Sequence, residues 1–400
     1  MPVAGNTEHT RPENRAFFPA LDGLRAIAFL LVFFQHFYAL PWGWTGVNIF
    51  FVLSGFLITG ILFDTRDDPH RARNFYLRRT LRIFPLYYGI FLGLLLLYPI
   101  FHWQWSAYWL AWPLYLGNFL RVLSPTELVS NSPLNLAANA WLGTPRLPNT
   151  QLYLGHFWSL CVEEQFYLFR PWIVFWVRGR RPLISICGVA VVLVLLLRIV
   201  AQHTAAPWLL KSSSLFHTTP FELDSLLLGG LLALLWRGAH RDRLLAVGQI
   251  LAALAGLVII AYLANSIHPS ATPNWRAAYQ YPHWAATWGT SFVDLFAGAL
   301  VLCCIQPTGW LVSFFSLRPL RWMGRISYGA YVFHDLLHDL YVHASIAIGR
   351  HSAFCAIHKD EVTIVLALTS TFLVAWLSFR YFESPFLNLK ERWTLRATAL

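Results

Sequence analysis

Two ionisable side chains, Arg25 and His36, lie in the first long apolar block of the chain. A charged group inside a membrane span is costly, and such groups usually face a cavity or a partner. The eleven-residue spacing places both on one face of a helix, about 16 Å apart along its axis. An imidazole can take a proton from a hydroxyl near neutral pH. The alternative is that Arg25 extends to the lipid headgroups and His36 is an aromatic ring at the interface.

A second pair of candidates, Arg79 and Arg82, lies just before the third apolar block, three residues apart. Residues at this spacing are neighbours on a helix face. Paired guanidinium groups suit a phosphorylated ligand, because arginine offers planar, bidentate donors to phosphate oxygens. The alternative is equally open, since arginines at an inner helix end also bind lipid phosphates and follow the charge distribution of membrane proteins.

Two adjacent carboxylates, Glu163 and Glu164, enter the fourth apolar block. Such a carboxylate could orient an imidazole or take a proton, or it could be solvated at the end of a span. No Gly-rich phosphate loop, nucleophile elbow or zinc motif is present, so we predict no metal site. Other polar residues are interpreted as buried pairs or span-end groups without an assigned function: Glu222, Asp224, Asp294, His334 and Asp335.

The composition of the chain shows what must position these groups. Hydrophobic residues make up 57% of the 400 residues and charged residues only 12%, whereas soluble domains are about 25% charged. Nineteen Trp and sixteen Tyr suit the two water interfaces of a membrane. A net charge of +11 would suggest nucleic acid in a soluble protein, but here the basic residues occupy short loops. We therefore predict membrane lipids and no nucleic acid as partners.

Ten blocks are long enough to cross a bilayer, so the predicted fold class is all-α, a polytopic membrane helical bundle. Twenty-one of the 30 Lys and Arg residues fall on the predicted inner side and six on the outer side, which predicts that both termini are cytoplasmic. If an eleventh apolar segment, 105–123, also crossed the membrane, the later basic clusters would fall on the outer side. This segment is therefore predicted to be interfacial or re-entrant. The ten predicted spans are 17–38, 47–63, 83–101, 157–176, 183–200, 220–236, 244–263, 286–306, 325–346 and 362–382.

Other parts of the chain complete this topology. The polar N-terminus has no cleavage site after an apolar region, so the first block is predicted to be a retained span. A polar outer loop follows the interfacial segment to about residue 156. Ser54 and Gly55 predict a small-residue packing patch in the second span. We expect a single membrane domain over 1–390 and a short cytoplasmic tail over 391–400.

Together these segments resemble the acyltransferase 3 family, the polytopic bacterial O-acyltransferases that modify surface polysaccharides and other exported acceptors. The resemblance covers nearly the whole chain, and the ordered set of motifs is specific although each motif alone is weak. The motifs are LDGLRA with His36 following Arg25, GVNIFFVLSGFLIT, FYLRRTLRIFPLYY, WSLCVEEQFYL, FELDSLLLGGLLA and RISYGAYVFH, which ends at His334.

The resemblance implies ten helices in the bacterial inner membrane and acyl-CoA, usually acetyl-CoA, as a cytoplasmic donor with no permanently bound cofactor. His36 is then the catalytic base, Arg25, Arg79 and Arg82 bind the donor, and Glu163 and Glu164 lie near the catalytic site. The expected acceptor is a hydroxyl of a glycan, a lipid-linked sugar or another exported molecule. Direct transfer and a covalent acyl-histidine intermediate both remain open.

Two residues depart from the family pattern: Asn48 replaces a common Asp, and Glu222 stands where many members have Arg. No esterase-like domain, which some members carry, is expected here, so we expect the membrane domain, alone or with a separate partner, to complete the transfer. The rival interpretation is a transporter or flippase for an anionic lipid-linked sugar. It would also need intramembrane arginines, but it would not require thioester turnover.

Overall fold

The computed structural model describes residues 18–38, 40, 42–101, 110–120, 146–147, 150–151, 154–204, 217–266, 285–336 and 338–395. Helices form nearly all of its regular structure. Two-residue strands, β1 (Arg146–Leu147) and β2 (Thr150–Gln151), pair antiparallel in the part predicted as an outer loop. The helices are α1 (Pro19–Tyr38), α2 (Thr45–Asp64), α3 (Arg71–Phe101), α4 (Trp158–Trp176), α5 (Arg180–Thr204), α6 (Thr219–Trp236), α7 (Arg241–Ser266), α8 (Thr290–Cys304), α9 (Trp310–Phe315), α10 (Arg318–Arg325), α11 (Ser327–Phe333), α12 (His338–Gly349), α13 (Ala353–Ile357), α14 (Lys359–Leu377) and α15 (Ser384–Trp393).

Seven helices in the described residues are long and apolar enough to cross a membrane. They are α1, α2, α3, α5, α6, the helix that ends as α8, and the continuous stretch from α14 into α15 through a π-helical turn at Ser378–Glu383. The predicted all-helical membrane bundle is therefore confirmed, while the count of ten is approximate. Two other predicted spans, α4 and α7, are helices but are not among these seven. Helix α4 carries three charged residues, and α7 begins with three.

The ninth predicted span, 325–346, is not one helix, and this prediction was wrong. The structure divides it into α11, which ends at Phe333, and α12, which begins at His338. Neither Gly nor Pro occurs between the two helices, so the sequence gives no local signal for the break. Interrupted helices at membrane depth occur where backbone is enclosed by protein or lines a cavity.

The predicted small-residue patch in α2 contains two residues with different neighbours. A Cβ atom on Gly55 would overlap the Leu226 carbonyl of α6, and one on Gly229 would overlap the Val52 carbonyl of α2. Glycine is therefore required on both helices, which lets their backbones approach closely. Ser54 instead faces α4, where it contacts Glu163.

The segment predicted as interfacial is described over 110–120, where it forms turns and the 3₁₀ helix Gly117–Phe119. It packs on α3 and α4, since Tyr87 donates a hydrogen bond to the Trp112 carbonyl at 2.6 Å and Gln165 donates one to the Tyr115 carbonyl at 2.6 Å. At the other end of α3, Asn74 exchanges two hydrogen bonds with the backbone of Leu395. The first residues of the predicted tail therefore bind the start of α3.

Candidate functional site

Four imidazoles surround one carboxylate at the end of the bundle where α1 terminates. His36 comes from the last turn of α1, and His156 comes from the 3₁₀ turn Gly155–Phe157 that leads into α4. His334 and Asp335 lie in the break between α11 and α12, and His338 is the first residue of α12. We call these five residues the imidazole cluster. The break in the ninth predicted span thus places three of its members.

Asp335 is the centre of the imidazole cluster. Its Oδ2 lies 3.1 Å from Nδ1 of His36 and 3.7 Å from Nδ1 of His156, and its Oδ1 lies 3.3 Å from Nδ1 of His338. A carboxylate at Nδ1 leaves Nε2 of a neutral His36 as the proton acceptor and stabilises the imidazolium that forms. The arrangement can therefore support general-base catalysis.

His334 lies against the same group but has a different partner. Its Nδ1 is 2.7 Å from the carbonyl oxygen of Tyr331. Its ring centre lies 5.0 Å from that of His36 and 4.9 Å from that of His156, with the rings meeting edge to face. The His334 side chain is fully buried, so protein rings enclose it on several sides.

The three arginines predicted to bind the donor lie together toward the opposite end of α1. Arg25 pairs with Asp22 at 2.7 Å, and the Arg79 guanidinium lies 4.8 Å from the ring centre of Tyr167 on α4. Arg82 lies close enough to Arg25 and Arg79 for electrostatic repulsion. We call Arg25, Arg79 and Arg82 the arginine cluster.

Two of the three guanidinium groups in the arginine cluster form no ion pair among the described residues. Asp22 forms an ion pair with Arg25, whereas no carboxylate forms an ion pair with Arg79 or Arg82 within the described ranges. The side chain of Arg82 is exposed and can therefore meet a ligand. Such a group of guanidinium donors suits an anion with several oxygens.

Glu163 and Glu164 lie with the arginine cluster rather than beside His36. Ser54 donates a hydrogen bond to Glu163 at 2.5 Å, and both carboxylates are within electrostatic range of Arg79. The carboxylate that lies next to Nδ1 of His36 is that of Asp335 rather than Glu163 or Glu164. The physical reason is depth: Glu163 lies about 10 Å along α4 from the turn that carries His156. Their catalytic assignment itself stays a prediction.

The two residues that depart from the family pattern lie in or beside a separate buried network. Asn48 donates a hydrogen bond to Asp294 at 2.8 Å, and Arg198 from α5 forms a buried ion pair with Asp224. A guanidinium therefore does meet Asp224, although position 222 holds a glutamate. Glu222 lies within electrostatic range of both charged groups. This network positions α2, α5, α6 and α8 relative to one another.

Sequence reasoning missed His156 and His338 of the imidazole cluster and assigned no role to Asp335. His156 stands two residues before the WSLCVEEQFYL motif and was not singled out. Asp335 was noted only as a polar neighbour of His334. An unpaired ionisable residue in an apolar block was the available signal for Asp335, but its partner lies on α1, at the other end of the sequence. Among the described residues, no group of three or more His, Cys, Asp or Glu has the geometry to hold a metal ion.

The chain is a multi-pass membrane protein, and α1 and α4 each extend from the imidazole cluster to the arginine cluster. The family model for an acyltransferase domain matches residues 18–383. The chain therefore belongs to the acyltransferase 3 family, which confirms the resemblance drawn from its motifs.

Curated relatives align along almost the whole chain. The peptidoglycan O-acetyltransferase OatA of Listeria monocytogenes serovar 1/2a is 28% identical over 393 residues, covering 94% of this chain and 57% of the relative. YrhL of Bacillus subtilis (strain 168) is 28% identical over 395 residues, covering 94% of this chain and 56% of the relative. The chain thus spans just over half the length of these relatives. No solved structure matches it significantly.

Proposed function

We propose that this protein is a membrane O-acyltransferase that moves an acyl group from acyl-CoA to a hydroxyl of a cell-envelope glycan. The observation that supports this most strongly is the Asp335 carboxylate beside the His36 imidazole, in a chain of an acyltransferase family. A carboxylate-paired histidine can take a proton from a hydroxyl and remain stable as an imidazolium.

In the proposed reaction His36 acts as the general base. Its Nε2 takes the proton of the acceptor hydroxyl while the oxygen attacks the acyl carbonyl. The C–S bond of the thioester breaks, and the CoA thiolate receives the proton from the His36 imidazolium. Asp335 holds the His36 ring through Nδ1 and offsets its positive charge. Asp335 is thus a positioning residue and His36 the catalytic residue.

The arginine cluster is proposed to bind the phosphates of the donor. The absence of an ion pair at Arg79 and Arg82 within the described residues supports this role, as does the exposure of Arg82. Glu163 and Glu164 would act on this donor side, where the hydrogen bond between Ser54 and Glu163 fixes one carboxylate near Arg79. Acyl-CoA is a substrate here rather than a bound cofactor, and acetyl is the proposed acyl group because the relatives' names carry O-acetylation.

The proposed location is the bacterial inner membrane, with both termini in the cytoplasm. Acyl-CoA is made in the cytoplasm, while envelope glycans are modified outside. The separation of the two clusters along α1, about 16 Å between Arg25 and His36, suits a donor that enters from one side and an acceptor that arrives from the other. The name of OatA supports peptidoglycan as the first acceptor to test.

The direct test combines the purified protein in lipid nanodiscs, radiolabelled acetyl-CoA and isolated envelope glycan. We expect alkali-labile acetate on the glycan with wild-type protein and background levels with His36→Ala. The control, His203→Asn, changes an exposed histidine on α5 and should behave as wild type. Transport of a lipid-linked sugar without cleavage of acetyl-CoA would instead support the rival transporter function.

A further inference from the structure

His334 has a single defined proton position. Its Nδ1 lies 2.7 Å from the Tyr331 carbonyl oxygen, and a carbonyl oxygen can only accept a hydrogen bond. Nδ1 therefore carries the hydrogen, and the lone pair of the neutral ring is on Nε2. The Tyr331 carbonyl thus selects the tautomer of the neutral ring that carries no hydrogen on Nε2.

The lone pair on Nε2 of His334 has no partner in the described part of the chain. The atom is buried and forms no hydrogen bond there, and the whole side chain is 0% exposed. Phe29 contacts the ring edge to face at 5.8 Å between ring centres. Buried polar atoms are nearly always hydrogen-bonded, and an exception calls for an explanation.

The explanation follows from comparing His334 with its neighbour His36. The two rings are 5.0 Å apart, yet one meets a carboxylate and the other a carbonyl. The Asp335 carboxylate favours the protonated form of His36, and a general base takes this form when it accepts a proton. The carbonyl fixes the hydrogen on Nδ1, so the lone pair of the neutral ring lies on Nε2 in a fixed direction, which is what a nucleophile requires.

We propose that Nε2 of His334 accepts the acyl group from the thioester, forming a covalent acyl-histidine before the acceptor reacts. This inference rests on the proposed function. In the first step the Nε2–C bond forms, the C–S bond breaks and CoA leaves as a thiolate, while the ring carries a positive charge. In the second step the acceptor oxygen attacks the acyl carbon and the C–N bond breaks, which returns the electron pair to Nε2. His36 takes the hydroxyl proton and passes it to the CoA thiolate or to solvent.

Isotope exchange tests this intermediate without any acceptor. Purified protein is mixed with unlabelled acetyl-CoA and radiolabelled CoA, and label entering acetyl-CoA is counted. An acyl-enzyme returns its acetyl group to labelled CoA, whereas direct transfer cannot. We expect exchange in the wild type and in His36→Ala, because the first step needs no base. We expect loss of exchange in His334→Asn, whose amide can still donate to the Tyr331 carbonyl.

Acetyl-CoA affinity and thermal stability of each variant are measured in parallel, with His203→Asn as the control. Exchange that persists in His334→Asn would overturn the assignment, because another residue would carry the acetyl group. Bound acetyl-CoA without exchange in the wild type would overturn the intermediate but leave the transferase function standing. Absence of acetyl-CoA binding would overturn the proposed donor and the intermediate together. If His334→Asn is unstable, His334→Gln takes its place in the same exchange assay.

Discussion

Replacing Asp335 with Asn removes one negative charge from the centre of the imidazole cluster and keeps the size of the side chain. Asp335 Oδ2 lies 3.1 Å from Nδ1 of His36, and only about a tenth of the Asp335 side chain is exposed. When His36 takes a proton, this pair becomes a carboxylate beside an imidazolium. The variant therefore loses stabilisation that exists mainly in the transition state.

The size of the loss follows from the distance. Two unit charges 3.1 Å apart interact by about 5 kcal/mol at an effective dielectric constant of about 20. About 1.4 kcal/mol corresponds to a factor of ten in rate, so the whole interaction would be worth between three and four powers of ten. Desolvation of the carboxylate offsets part of it. We expect turnover to fall by about 10²- to 10⁴-fold, while acetyl-CoA affinity, which we propose depends on the arginine cluster, changes little.

The assay is transfer of radiolabelled acetate to envelope glycan at saturating acetyl-CoA, with donor affinity measured separately. Asp360→Asn, which neutralises an exposed carboxylate at the start of α14, is the control and should keep wild-type turnover. Turnover in Asp335→Asn within about threefold of wild type would refute the reasoning, because His36 would then act without its carboxylate. A matched loss of donor affinity would also count against it, since it would place the donor at the imidazole cluster.

The remaining predictions concern the donor site, helix packing and topology. Arg79→Ala and Arg82→Ala should each weaken acetyl-CoA binding measured by titration, and Lys should recover only part because the bidentate geometry is lost; unchanged affinity in the double Ala variant would favour lipid binding instead. Gly55→Ala should destabilise the bundle by about 1–3 kcal/mol and lower its melting temperature in detergent, whereas Gly188→Ala, with open space around it, should not; equal melting temperatures would contradict the close contact of α2 and α6. A reporter fused after Arg241 should give a cytoplasmic signal, and an external signal would overturn the proposed orientation.

The sequence predicted local features of the site well. Helical periodicity placed Arg25 and His36 on one face of α1, and the structure puts them at opposite clusters. The three-residue spacing of Arg79 and Arg82 predicted neighbours on α3, and both guanidinium groups lie near Arg25. These predictions needed only the geometry of a single helix.

Long-range partners could not be predicted in the same way. Asp335 meets His36 because the helix breaks after Phe333, at the end of α11. The residues in this break include neither Gly nor Pro, so the sequence does not predict it. Glu163 meets Ser54 rather than His36 because the packing of α4 against α2 sets its depth in the bundle. One sequence specifies which residues share a helix face, but contacts between helices depend on packing that a periodicity argument does not contain.

The central claim is that His36 is the base that activates the acceptor hydroxyl, and the His36→Ala variant tests it most directly. The measurement is a paired one on the purified variant: the dissociation constant for acetyl-CoA, and acetyl transfer to envelope glycan at saturating donor. Loss of a general base predicts a fall in transfer of about 10²-fold or more with a dissociation constant close to that of the wild type. Near-normal transfer at saturating donor would contradict the account and leave His36 as a structural partner of Asp335.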